Sequence, residues 1–248
     1  MTDMTNSFVQ QQMSTELTHH GVKGMKWGVR KDRQTTLSSN RGYSVSPNGA
    51  ITIKKGHILQ RMFEDGASDG SSGSAYFSFT EKDKKIYMGM MGSGAHSRFK
   101  FIRNLASGKV SRVTAAEELR SPSSEEAYNI LNKTLLELGR KTHKAAQFDD
   151  DAKLWYADKS AKLMLKDDEL SKAFKSNIQK AGYNMLLDET DASWLSDLPV
   201  IILDGEKSLS KPLVSDLGKA ELEEARSFIK NNKEAKVITM EEIRNRGY

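Results

Sequence analysis

Cysteine is absent from this chain. Its absence excludes a disulfide framework, thiolate metal sites and a cysteine nucleophile, and it fits a reducing compartment. Long apolar runs are missing too, since no stretch approaches the ~18 residues of a membrane span. Residues 1–17 are polar and lack the apolar centre of a signal peptide. The sequence therefore predicts a protein without a membrane span that is made and kept inside a cell.

Common nucleotide and metal motifs are also missing. The glycine-rich residues 89–94 are not followed by Gly-Lys-Ser/Thr, and no dinucleotide fingerprint occurs. His19 and His20 are adjacent and lack spaced partner ligands. Residues 149–151, three aspartates, lack the glycine and terminal glutamate of a calcium loop. We therefore expect no metal site.

The composition is that of an ordinary globular protein. The chain has 248 residues, of which 37% are apolar and 29% charged, enough for one large domain with its own core. The net charge of +5 would suit an acidic partner. It is widely spread, because residues 1–45 hold only six Lys/Arg against three Asp/Glu. Charge alone is therefore weak support for nucleic-acid binding.

The most specific feature is a basic motif at residues 19–31, in a part of the chain with few apolar residues. Met25, Trp27 and Val29 alternate with polar or small residues, as in an extended strand, and the interspersed glycines disfavour a helix. Such a segment can add to a sheet edge or groove of a partner. The residues expected to contact that partner are His20, Val22, Lys23, Met25, Lys26, Trp27, Val29 and Arg30.

The string His-His-Gly-Val-Lys-Gly-Met-Lys-Trp-Gly-Val-Arg, at residues 19–30, closely resembles a motif of structural and head-associated proteins of tailed phages and prophages of Gram-positive bacteria. This resemblance implies a phage head or portal protein as the partner, and the bacterial host cytoplasm and the virion as locations. An alternative is a nucleic-acid-binding accessory protein, in which the basic residues contact phosphates and Trp27 stacks on a base.

Composition divides the chain into a mobile arm and linker over residues 1–48 and a folded domain over residues 49–248. Apolar alternation predicts strands near residues 51–53, 58–62, 74–80, 99–102, 110–113, 183–187 and 200–203. Helical spacing predicts helices near residues 126–138, 150–166, 168–181 and 216–230. Residues 84–91 fit either state. The predicted fold is α+β, with a mixed or antiparallel sheet, an insertion of about three helices and a C-terminal helix.

Residues 56–61, 76–83, 182–188 and 199–204 recur in this order in phage proteins with the same N-terminal motif. They also resemble, more faintly, a divergent ADP-ribosyltransferase. That resemblance implies NAD as cofactor and a host protein as substrate. Arg61 would hold the NAD phosphate or ribose, and Ser78 and Thr80 would shape the nicotinamide pocket. An acid among Asp188, Glu189 and Asp191 would stabilise the ribosyl cation.

The chemistry of these residue types suits those roles, because an arginine fork matches a pyrophosphate and a carboxylate stabilises oxocarbenium charge. Structural roles remain open at this point. Arg61 could form a strand-end ion pair, Ser78 and Thr80 could be strand residues with satisfied hydroxyls, and residues 188–191 could be a turn. In that case the domain is a non-catalytic minor capsid or assembly protein.

Overall fold

The computed structural model describes residues 42–63, 67–92, 109–143, 147–164, 166–189 and 198–231. The strands are β1 Tyr43–Val45, β2 Ile51–Ile53, β3 Ile58–Phe63, β4 Ala75–Phe77, β5 Lys109–Thr114, β6 Leu119–Arg120, β7 Met185–Leu187, β8 Val200–Ile202 and β9 Leu213–Asp216. The helices are α1 Glu81–Gly92, α2 Ser124–Glu137, α3 Asp150–Met164, α4 Glu169–Lys180, α5 Gly205–Ser208 and α6 Lys219–Asn231. The predicted α+β class is confirmed.

Some predictions lie outside the described residues. They are the docking motif at 19–31, the strand at 99–102 and the candidate acid Asp191. Among the helices that the structure describes, none is both long and apolar enough to cross a membrane.

The described strands form three antiparallel sheets of three strands each, in the orders β1–β2–β6, β3–β5–β9 and β4–β8–β7. Two backbone hydrogen bonds of 2.8 Å between Gln60 and Ser78 join β3 to β4. The Asn184 N–H, just before β7, donates to the Arg120 carbonyl of β6 at 3.1 Å and so joins the β1–β2–β6 sheet to the β4–β8–β7 sheet. The sheets therefore form one connected framework.

The β4–β8–β7 sheet is covered on both faces. Phe77 and Val200 belong to a core cluster shared with Ile51 and Leu59 of the other two sheets. Leu186 and other residues of this sheet belong to a second cluster, shared with the helices α2, α3 and α4. Burial on both faces explains why β7 and β8 are uninterrupted apolar runs rather than alternating ones.

The three predicted middle helices, α2, α3 and α4, lie between β6 and β7 in the chain and form one layer. α2 begins with the predicted capping box, in which Ser123 and Glu126 exchange side-chain and backbone hydrogen bonds. α4 is capped by Asp168 and ends at Gly182, whose φ of 90° is the left-handed conformation that ends helices. Local signals therefore fix the ends of this layer.

The two ends of the helical insertion meet at Asn184. The Arg120 backbone N–H donates to Asn184 Oδ1 at 2.7 Å, and the Asn184 backbone N–H donates to the Arg120 carbonyl at 3.1 Å. The Asn184 carbonyl in turn accepts from the Leu203 N–H at 3.1 Å. One residue thus joins the strand before the insertion to the strands after it.

The folded part extends N-terminal of the predicted boundary at residue 49. Residues 43–45, assigned to the linker by composition, form β1 and pair with β2. The ambiguous residues 84–91 are helical in α1. The predicted strand 74–80 is shorter, because β4 ends at Phe77 and Thr80 already caps α1.

Helices α1 and α6 pack together beside the β3–β5–β9 sheet. Lys85 and Glu224 form an ion pair of 2.7 Å between the two helices. Arg112, on β5, bonds Ser215 of β9 at 3.0 Å and Glu221 of α6 at 2.6 Å. These bonds place α6 on the face of the sheet to which the Arg112 side chain points.

Candidate functional site

Arg61 lies on β3, and its half-buried guanidinium bonds two carbonyl oxygens of the described residues. Nε donates to the Ser68 carbonyl at 3.2 Å, and Nη1 donates to the Tyr76 carbonyl at 3.3 Å. Burial lowers the pKa of Arg61, and the neighbouring Tyr76 and Asp69 oppose this shift. The arginine therefore ties β3 to β4 and to the loop of residues 67–74.

That loop is ordered by its own polar residues. Asp69 Oδ1 accepts from the Ser71 hydroxyl at 2.6 Å and from the Ser71 N–H at 2.9 Å, and these bonds hold the pKa of Asp69 below its usual value. Gly70 has a φ of 86°, and a Cβ there would lie 2.6 Å from Phe77 Cζ. A Cβ at Gly205 would lie 2.5 Å from the Gly70 carbonyl oxygen. The loop thus packs directly on the start of α5.

Ser78 and Thr80 follow β4. Ser78 is 5% exposed, and its backbone pairs with that of Gln60 in the bridge that joins β3 to β4. Thr80 Oγ1 accepts from the Asp83 N–H at 3.0 Å, which is the bond of a helix N-cap. Asp83 is fully buried, and its carboxylate accepts from the Leu198 N–H at 3.0 Å. The Thr80 hydroxyl therefore has a structural partner.

The two described candidate acids, Asp188 and Glu189, directly follow β7. Asp188 is 7% exposed, and its N–H extends the ladder by donating to the Pro199 carbonyl at 2.9 Å. The Glu189 carboxylate accepts from the Ser124 hydroxyl at the start of α2. Burial raises the pKa of Tyr156, and the negative charges of Glu189 and Asp188 raise it further. Both acids thus interact with groups on the helical side of the sheet.

Arg61 and Asp188 face opposite sides of the β4–β8–β7 sheet. The Arg61 Cδ and the Phe77 ring converge on Gly70, so Arg61 lies on the side of the sheet–sheet cluster. Side chains alternate along a strand, and Leu186 and Tyr156 place Asp188 on the side of the helical cluster. Ser78 follows Phe77 in the strand direction and therefore points to the opposite side from Phe77, which is the side of the helical cluster. The single NAD cleft stays a prediction. The contacts described above give Arg61, Thr80 and Glu189 roles in the fold.

A cavity of about 560 Å³ was not expected from sequence; its lining includes Lys141, Thr142, His143, Asp149, Asp151, Trp155 and Lys159. The His143 ring stacks on Trp155 with centroids 4.8 Å apart. Its Nδ1 lies 3.1 Å from the Tyr128 hydroxyl, and its Nε2 lies 3.3 Å from Asp151 Oδ2. The sequence did not indicate this cluster, because the partners of His143 come from two different helices, α2 and α3, and show no regular spacing along the chain. No group of three potential metal ligands occurs in the described ranges.

Comparison with known proteins bears on the N-terminal segment. The model of a family described as a family of unknown function, DUF7211, matches residues 10–34. This match contains the whole basic motif at residues 19–31 and ends before the described structure begins. No curated protein and no solved structure matches the chain.

Proposed function

We propose that this chain is a head-associated phage or prophage protein, in which residues 19–31 dock to a virion or assembly component and the α+β domain is a non-catalytic body. The observation that supports the docking part is that the family model of unknown function matches residues 10–34 and so covers the whole basic motif. Its alternating apolar and basic residues suit addition to a partner's sheet edge.

The non-catalytic reading of the domain is supported by how its candidate site residues are used. Arg61 bonds two carbonyls, Thr80 caps α1, and Glu189 accepts from Ser124. Each of these groups already has a partner that stabilises the fold. A cofactor would have to compete with those partners for the same polar atoms.

Deleting residues 1–33 is expected to leave the domain folded and to abolish incorporation into particles. The deletion removes no strand or helix of the described structure. The measurement compares full-length and shortened chains by immunoblot of purified particles, with circular dichroism as the control for folding. Equal incorporation of a folded, shortened chain would show that the segment is not the docking element.

The second candidate function is an ADP-ribosyltransferase acting on a host protein with NAD. It is favoured by one observation, which is that β3, carrying Arg61, pairs directly with the end of β4 at Ser78. The resemblance assigns both Arg61 and Ser78 to the binding of NAD.

Titration calorimetry of the full chain with NAD separates the two candidates. We expect no saturable heat for the non-catalytic protein. If NAD binds, Arg61→Lys should weaken it, because a lysine cannot reproduce the bidentate contact to phosphate. Saturable binding that is lost in Arg61→Lys, with the variant still folded, would establish the enzyme candidate instead.

A further inference from the structure

The outer edge of β9 is open and apolar. β9 is the last strand in the order β3–β5–β9, and no described strand pairs with its other side. Leu213 is 69% exposed and Val214 is 41% exposed. An uncovered apolar edge is a site where another strand adds, which natural proteins usually prevent with charges, prolines or a cover.

The hydrogen-bond pattern shows which groups of this edge are available. Gln60 exchanges both backbone bonds with Ser78, so in the alternating antiparallel ladder the next residue, Arg61, bonds β5 instead. Arg61 pairs with Ser111 of β5, so the backbone groups of the next residue, Arg112, point to β9 and bond those of Leu213. The backbone N–H and C=O of Val214 therefore point outwards.

The C-terminal residues 236–240, Lys-Val-Ile-Thr-Met, are one possible occupant, because they follow α6. Viewed from the α6 face with β9 running upwards, L-chirality places β5 on the right and the open edge on the left. A strand that reached that edge through α6 and ran parallel to β9 would make a left-handed crossover. Crossover connections between parallel strands of one sheet are right-handed in about 98% of cases. The C-terminal segment is therefore a poor candidate.

The N-terminal segment can reach the same edge. The described chain begins at Gly42, whose carbonyl accepts from Lys54 and which lies against the His57 ring. Two strand spacings and a few residues separate this point from Leu213, roughly 20 Å. Residues 31–41 between the motif and Gly42 span up to about 35 Å when extended. The linker is therefore long enough without unfolding any described element.

The chemistry of the segment matches the edge. Leu213 and Val214 are exposed on opposite faces of the sheet. The alternating Met25, Trp27 and Val29 would form one apolar face of an added strand, which would pack beside one of these two side chains. Glu221 and Glu224 of α6 are paired with Arg112 and Lys85. The exposed Asp216, at the end of β9, is the acid that would meet a basic side chain of the segment such as Lys26. We propose that the open edge of β9 is a strand-addition site and that it binds residues 25–30 of the same chain.

The test is limited trypsin digestion of the full chain, with Val214→Pro as the edge-blocking variant. Proline is tolerated on an edge strand where the N–H faces outwards, so this change spares the ladder with β5. Cleavage after Lys26 is expected to be about tenfold faster in the variant if the segment is docked nine-tenths of the time, because proteolysis follows the open population. Cleavage after Arg33, in the linker, is the internal reference.

A second pair of variants does not touch the folded part. Gly28→Pro should accelerate cleavage after Lys23, and Ser38→Pro, its matched control in the linker, should not. Rates that are equal in wild type, Val214→Pro and Gly28→Pro would overturn the proposal. Protection that weakens on dilution would overturn it in favour of a second copy of the chain. The assay contains no virion component, so its outcome is separate from that of the docking function proposed above.

Discussion

Trp27→Ala is expected to weaken the binding of this protein to its particle partner by about 2 kcal/mol, which is roughly thirtyfold in Kd. A large aromatic side chain in the centre of a docked segment usually dominates its binding energy. Lys31→Ala, at the end of the motif, should cost under about 1 kcal/mol, as an exposed ion pair does. Binding of labelled full-length chains to purified particles, measured by co-sedimentation at increasing concentration, gives both values.

The salt dependence of the same binding excludes or supports the nucleic-acid alternative. Phosphate contacts weaken by about 0.9 log units per contact for each tenfold rise in salt, whereas apolar docking changes much less. Larger losses in Lys31→Ala than in Trp27→Ala, together with a steep salt slope and tight binding to duplex DNA, would contradict protein docking.

Phe174→Ala is expected to lower the free energy of unfolding by about 3–5 kcal/mol. Phe174 is fully buried at the junction of the helical insertion and the β4–β8–β7 sheet. Its removal leaves a cavity bounded by well-packed helices, and total stabilities are only about 5–15 kcal/mol. Urea unfolding followed by circular dichroism measures the loss.

Leu136→Ala is the matched control for this prediction. Leu136 is also a large apolar residue on a helix of the insertion, but it is 66% exposed. Its loss should change stability by under about 0.5 kcal/mol. If both substitutions cost the same, the helical layer would not be packed on the sheet in the way described.

Local signals in the sequence predicted the helical layer well. The pair Ser123 and Glu126 encodes a capping box through contacts three residues apart, and Gly182 encodes a helix end through its own backbone freedom. These effects require no knowledge of the remaining fold. The prediction of three inserted helices and a last helix is confirmed for the same reason.

Short and exposed elements were not predictable. β9 has four residues with an exposed Leu213 and Val214, so it shows neither length nor an alternation of buried positions. β1 has only three residues, and its stability comes from pairing with β2 rather than from its own residues. Both strands exist because of partners that lie elsewhere in the chain.

The candidate site could be predicted only as a set of residues, not as a geometry. Order along the chain places Arg61, Ser78 and Asp188 near strand ends. Ser78 and Asp188 directly follow β4 and β7, whereas Arg61 lies within β3, which continues to Phe63. Which face each side chain takes depends on register, and a shift by one residue reverses it. No periodicity in the sequence fixes the register between β3 and β4, so convergence on one cleft could not be deduced.

The meeting of Arg120 and Asn184 has a consequence for how this architecture can change over time. Because the helical layer leaves and re-enters the framework at neighbouring residues, a module of different length can replace it without rerouting any strand. The replacement must still bring an apolar surface, since Leu186 and Ile201 would otherwise face water. Evolution can therefore exchange this layer for another but cannot simply delete it.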